Sequence, residues 1–167
     1  IRDRYHPLQD KIETSDILSG CVFKSLILDK HDNLIVGTDA GLYIYNMGTH
    51  QQHSLVYNAF HQTICNNIIW NLTIDRDDNV WLATDDGVTI MEYPTWYTYH
   101  NIYEFTHDEY GGSFTSILDD SHNNLWLGGE NGLLKLSLQS TPVEATCYNA
   151  SNSVSYTHLT LPTNREV

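Results

Sequence analysis

From Ile68 to Ile74 the chain alternates: Ile68, Trp70, Leu72 and Ile74 are separated by Ile69, Asn71 and Thr73. A period of two with one wholly apolar set predicts a strand, with Ile68, Trp70, Leu72 and Ile74 on its buried face. A polar run from Asp75 to Asn79 follows. Asp and Asn bond their own backbone and tolerate left-handed geometry, so this run predicts a tight turn. Val80-Trp81-Leu82-Ala83 predicts a second strand, Asp85-Asp86-Gly87 a hairpin turn, and the apolar run from Val88 a third strand.

The same order occurs three times. LDKHDNLIVGTDAGLYIY from Leu28, IDRDDNVWLATDDGVTIM from Ile74 and DDSHNNLWLGGENGLLKL from Asp119 align without gaps. Gly41, Gly87 and Gly132 are 46 and 45 residues apart, as are Asn33, Asn79 and Asn124. The strand before the turn is kept less well in the outer copies: Lys24 stands where Trp70 does, and the third copy is weaker still. A fourth strand per unit is expected near Leu55-Val56-Tyr57 and between Tyr93 and Tyr103. Helical repeats of this length would need a 3.6-residue period, which the turn glycines and asparagines forbid. Four strands in about 45 residues match a propeller blade.

The fold class is therefore all-β, a partial β-propeller of about three four-stranded antiparallel blades. Blades are assigned to residues 21–66, 67–111 and 112–153, the last including the start of the next, after an end of a preceding blade or a linker at 1–20. Propellers close with about 4–8 blades. Further blades of the same chain are therefore expected as partners of these three. Residues 154–167, VSYTHLTLPTNREV, fit no repeat position. They resemble a string found at the ends of unrelated translations from environmental sequencing. An adapter or assembly remnant is expected there, with an edge strand as the alternative.

The repeated positions Asp29, Asn33, Gly41, Asp75, Asn79, Trp81, Gly87, Asp120, Asn124, Trp126 and Gly132 are read as framework. Trp81 and Trp126 hold equivalent interior positions, which favours packing over ligand stacking. Tyr93, Trp96, Tyr97, Tyr99 and Tyr103 do not recur in the other copies, and they are the candidate ligand contacts.

Composition narrows the chemistry. Hydrophobic residues make up 41% and charged residues 17%, enough for a packed core. The net charge of −13, from 21 acidic and 8 basic residues, argues against nucleic acid and anionic lipid as partners. No window approaches the ~18 apolar residues of a membrane span, so no direct membrane contact is expected in this segment. Cys21, Cys65 and Cys147 form no CxxC pair and read as small apolar residues, with one disulfide as the alternative in an exported protein. The nine histidines are scattered without HExxH spacing. Asp75, Asp77 and Asn79 imitate the start of a calcium loop, but Val80 stands where that loop needs glycine. No GxSxG or phosphate-loop motif is present. No metal, cofactor or catalytic residue is expected.

The pattern D-x-x-x-N-[LV]-W-[LI]-G-T-x-x-G-L resembles the two-component regulator propeller repeat. Asp75, Asn79, Val80, Trp81, Leu82, Thr84, Gly87 and Val88 carry it, as do Asp120, Asn124, Leu125, Trp126, Leu127, Gly128, Gly132 and Leu133. The first copy matches through Asp29, Asn33, Leu34, Gly37, Thr38, Gly41 and Leu42. Ile35, Ala83 and Gly129 depart from it, and Asp32, Asp78 and Asn123 stand where the family has glycine. The resemblance implies the periplasmic sensor region of a membrane-bound, homodimeric hybrid histidine kinase. It also implies a non-catalytic segment responding to a small molecule or oligosaccharide. Two other classes share short propeller repeats: lyase- or lactonase-like enzymes, and protein-interaction scaffolds. The Trp-Asp dipeptide of common scaffold propellers is missing here.

Overall fold

The computed structural model describes residues 20–58, 63–93, 99–102, 113–120, 122–140, 143–149 and 155–159. All secondary-structure elements among them are strands. β1 (Phe23–Leu28), β2 (Asn33–Thr38), β3 (Leu42–Asn46) and β4 (Gln52–Leu55) form the first sheet, in chain order. β5 (Ile69–Ile74), β6 (Val80–Thr84), β7 (Gly87–Met91) and β8 (Tyr99–Ile102) form the second. β9 (Phe114–Asp119), β10 (Asn124–Gly129), β11 (Gly132–Ser137), β12 (Val143–Tyr148) and β13 (Ser155–Leu159) form the third. Neighbouring strands pair antiparallel throughout. The three units are thus three blades, and the all-β propeller expectation holds.

The turns explain the spacing. Asp32, Asp78 and Asn123 have φ of 62°, 65° and 62°, a left-handed conformation that Asp and Asn tolerate better than most residues. The family's glycine can therefore be replaced there without losing the turn. At the next turn a side chain is excluded outright. A Cβ on Gly41 would lie 2.4 Å from the Leu55 carbonyl oxygen, and one on Gly132 would lie 2.3 Å from that of Tyr148.

The sheets stack face to face. Ile35, Leu42 and Ile44 of the first sheet pack on Ile69, Leu72, Val80, Leu82 and Met91 of the second. Trp81, Ala83, Val88 and Ile90 then pack on Phe114, Ile117, Leu125, Leu127, Leu134 and Leu136 of the third. Each fully buried large apolar side chain contributes about 1.5–3 kcal/mol. Strand Gly37 is small for this reason: a Cβ there would lie 2.8 Å from Cγ2 of Ile69 in the next sheet. Contacts between sheets run through the inner strands, β1 with β5 and β5 with β9.

One expectation needs revision. Strict alternation placed Ile68, Trp70, Leu72 and Ile74 on one face. In the structure Ile69 and Leu72 are the buried residues, and Trp70 and Ile68 are only half-buried. The register shifts between Ile69 and Asn71, and this β-bulge changes the phase at the start of β5. In the C-terminal segment, Ser155–Leu159 pair with β12 as an added edge strand, the alternative named for it above. An open edge accepts any extended segment that follows it, so this pairing carries no repeat signature. The fourth strands are β4, β8 and β12; β4 ends at Leu55, before Val56 and Tyr57.

Candidate functional site

The two ends of the inner hairpins differ in chemistry. At the turn end, Asp75 is a hub. Its Oδ1 accepts the backbone N–H groups of Asp77 and Asn79, both at 2.9 Å. Its Oδ2 accepts the Asn79 amide at 3.0 Å and the Trp81 indole N–H at 2.8 Å. Asp120 repeats this with His122 (2.7 Å), the Asn124 backbone (3.0 Å), the Asn124 amide (2.9 Å) and the Trp126 indole (2.9 Å). The Trp126 and Asn124 side chains hold the Asp120 carboxyl well below the usual carboxylate range. Asp29 keeps the bonds to His31 and Asn33 at 2.7–2.8 Å, but Ile35 gives it no indole. These framework residues consume their polar atoms locally. The tryptophans are fixed by their N–H as well as by packing.

Of the aromatic candidates, Tyr93 lies at the turn end. Its ring stacks on His31 of the first sheet at 4.8 Å and 6°. Its backbone N–H donates to the Asn79 side chain at 3.1 Å. Beside it Lys30 is ion-paired with Asp78, and that contact raises the lysine pKa. Tyr93 thus bridges two sheets. Tyr99 opens β8. Trp96, Tyr97 and Tyr103 lie outside the described residues.

At the opposite end of the inner hairpins, all three inner strands carry a bulge at the same place. The bulged residues are Lys24 in β1, Trp70 in β5 and Thr115 in β9. A bulge frees its residue from the ladder and re-aims the side chain. The Lys24 ammonium sits 4.2 Å from the centre of the Trp70 ring. The Trp70 indole N–H donates to Asp85 Oδ1 at 3.1 Å, and the Ser113 hydroxyl donates to the same oxygen at 3.0 Å. Asp85 is itself held by its backbone N–H, which donates to the Ile68 carbonyl at 3.1 Å. Lys24 and Trp70 are half-buried; Thr115 and Asp85 are exposed.

An aromatic face, a cation, a carboxylate and the Ser113 hydroxyl are therefore in contact, and Thr115 holds the equivalent bulge on β9. This set suits binding of a polar ligand that also has an apolar face. Sequence reasoning missed these residues as a group. The available signal was the imperfect alternation itself, with Lys24, Trp70 and Thr115 at one repeat phase. Among the described residues no group of three or more His, Cys, Asp or Glu could hold a metal ion. No helix there is long and apolar enough to cross a membrane.

Residues 63–86 match the family model described as two component regulator propeller. No curated protein matches the chain. Among solved structures, one similar chain is the extracellular domain assigned to the hybrid two component system BT3049 of B. thetaiotaomicron. It is 19% identical with a TM-score of 0.63, covering 85% of this chain and 18% of that one. The corresponding domain of BT4673 from the same organism is 15% identical with a TM-score of 0.61, covering 87% and 23%. PorZ, a surface component of the type-IX secretion system of Porphyromonas gingivalis, is 19% identical with a TM-score of 0.55, covering 81% and 22%. These likenesses are of fold, and the chain spans less than a quarter of each. The matched segment runs through the Asp75 hub and the Trp70 bulge, and the flanking sheets repeat that frame at 46 and 45 residues. Residues 63–86 are thus similar to a two component regulator propeller repeat, and the chain has the fold of a propeller built on that frame.

Proposed function

We propose that this chain is a ligand-sensing, non-catalytic segment of the extracytoplasmic propeller of a hybrid two component sensor. One observation carries the reading. Along a repeated frame, the turn-end hubs keep their chemistry, whereas the bulge row varies from Lys24 to Trp70 to Thr115 on an unchanged backbone. Framework positions are constrained by packing, and positions that vary on a fixed frame are free to serve recognition. The repeat family and the extracellular origin of similar folds support the location. By the family resemblance the ligand is an oligosaccharide, the compartment is the periplasm, and kinase elements of a homodimeric parent lie elsewhere in that protein.

A ligand held across β1, β5 and β9 would touch three blades at once. It would favour one arrangement of them over another, and only such differential affinity can shift a two-state assembly. The test is calorimetric titration of the folded full chain with a panel of oligosaccharides, alongside Trp70→Ala. Binding that Trp70→Ala weakens supports the reading. A panel with no binder, or binding indifferent to Trp70, overturns it.

A further inference from the structure

We infer that the bulge row takes an anionic sugar, its charged group on Lys24 and its ring against Trp70. This deepens the ligand-sensing reading and rests on it. Lys24 is one of 8 basic residues in a chain with 21 acidic ones. Among the described residues the ion pair is Lys30 with Asp78, and Lys24 has no carboxylate at ion-pair distance. Its ammonium rests on an indole instead. A cation that lies on an aromatic ring in an acidic protein, and is left without a carboxylate, is available to an incoming anion.

The neighbours define the rest of the ligand. The Trp70 N–H is committed to Asp85, which fixes the indole plane and leaves as the contact the part of its π surface that the Lys24 ammonium does not cover. Apolar C–H faces of pyranose rings suit such a surface. Asp85 also holds the Ser113 hydroxyl, and the Thr115 hydroxyl donates to the Gly128 carbonyl at 3.5 Å, a long bond that is readily exchanged. A pyranose bearing hydroxyls and one negative group has a partner for its C–H face, its hydroxyls and its charge. A neutral sugar leaves the ammonium without a counter-charge, and an inorganic anion ignores the indole. Lysine acts as a point charge, so a uronate carboxylate and a sulfate ester share this chemistry.

The experiment titrates the folded full chain with tetragalacturonate, with a sulfated galactose oligomer, and with neutral galactotetraose. Its variants are Lys24→Met, Lys24→Arg and Trp70→Ala, each shown to melt like the parent. One of the anionic sugars should bind in preference to the neutral one, and which one identifies the source of the charge. Lys24→Met should weaken that binding about tenfold, and Lys24→Arg should retain it. Added salt should weaken it too. Equal binding of the neutral oligomer overturns this inference and leaves ligand sensing intact. Anionic binding untouched by Lys24→Met overturns the site. Absence of binding by any of the three overturns the inference. Extending the titration to the wider panel then decides whether the sensing reading falls with it.

Discussion

At one end of the inner hairpins, Asp29, Asp75 and Asp120 close the same turn with the same backbone bonds. At the other end, Lys24, Trp70 and Thr115 occupy the same bulge and share no chemistry. Both rows sit on equivalent backbone, so geometry alone does not separate them. The difference is where the side chain's partners are. The turn carboxylate must satisfy N–H groups of its own loop, so only one residue type serves. The bulged residue has no ladder or core obligation, so its identity is open. Repetition marks what the fold requires, and variation at a fixed position marks what it leaves free.

The sharpest way to break this comparison is Asp75→Ala. It removes an acceptor of four hydrogen bonds from a carboxylate only 9% exposed, and it strands the Trp81 N–H in the core. A loss of about 3 kcal/mol or more is expected in denaturant unfolding. Asp29→Ala, without an indole to strand, should cost clearly less. Equal losses would show that the indole link adds nothing to the turn.

Next in size is Trp81→Phe against Trp126→Phe. Both delete an indole N–H bonded to a hub carboxylate. Trp81 is 2% exposed between the second and third sheets. Trp126 is half-buried, with the Tyr148 ring 6.0 Å away and Lys135 over its face at 5.5 Å. The first change should cost about 2 kcal/mol and the second about 1, because solvent replaces the lost bond at the more open site. Reversal of that order in matched unfolding curves would contradict the packing account.

The turn row was legible in the sequence because its bonds span at most six residues: Asp75 reaches Trp81, and Asp120 reaches Trp126. Local chemistry of that kind leaves a fixed spacing. The positive φ at Asp32, Asp78 and Asn123 was likewise foretold by residue type. The bulge row was not legible. A bulge has no residue preference that a single copy reveals, and the alternation of Ile68 to Ile74 placed Trp70 on the wrong face. Nor could sequence bring Lys24 to Trp70, since that contact depends on how blades stack, or Trp70 to Asp85, since that one depends on the bulge in β5. The pairing of Tyr93 with His31 was hidden for the same reason.

A smaller effect tests the border of the framework row. Asp119 precedes the hub Asp120 and stands in the register position of Leu28 and Ile74. Burial, and then the charge of Asp75, pushes its carboxyl pKa up. A raised carboxylate pKa means that ionisation costs native stability. That cost is absent in acid, and it grows as pH rises from the ordinary carboxylate value through the raised one. Asp120 has the opposite sign: its contribution is present above the ordinary carboxylate value and is lost as pH falls through its lowered one. Asp119→Leu should therefore raise the melting temperature at neutral pH, with the gain shrinking on acidification. A gain independent of pH would place the benefit in packing rather than in charge.

The smallest expected change is the most informative about the bulge row. Lys24→Thr installs the residue type that Thr115 already provides at this phase. It removes the ammonium from the Trp70 ring, a contact worth about 0.5–1 kcal/mol at an accessible site, and it keeps the bulge because the backbone sets it. The melt should move by no more than that amount. If instead stability fell as far as for Asp75→Ala, Lys24 would be framework. The contrast between rows would vanish, and the ligand reading would lose its footing. A near-silent melt would leave Lys24 as a side chain the fold does not need, on a backbone kink that all three blades keep.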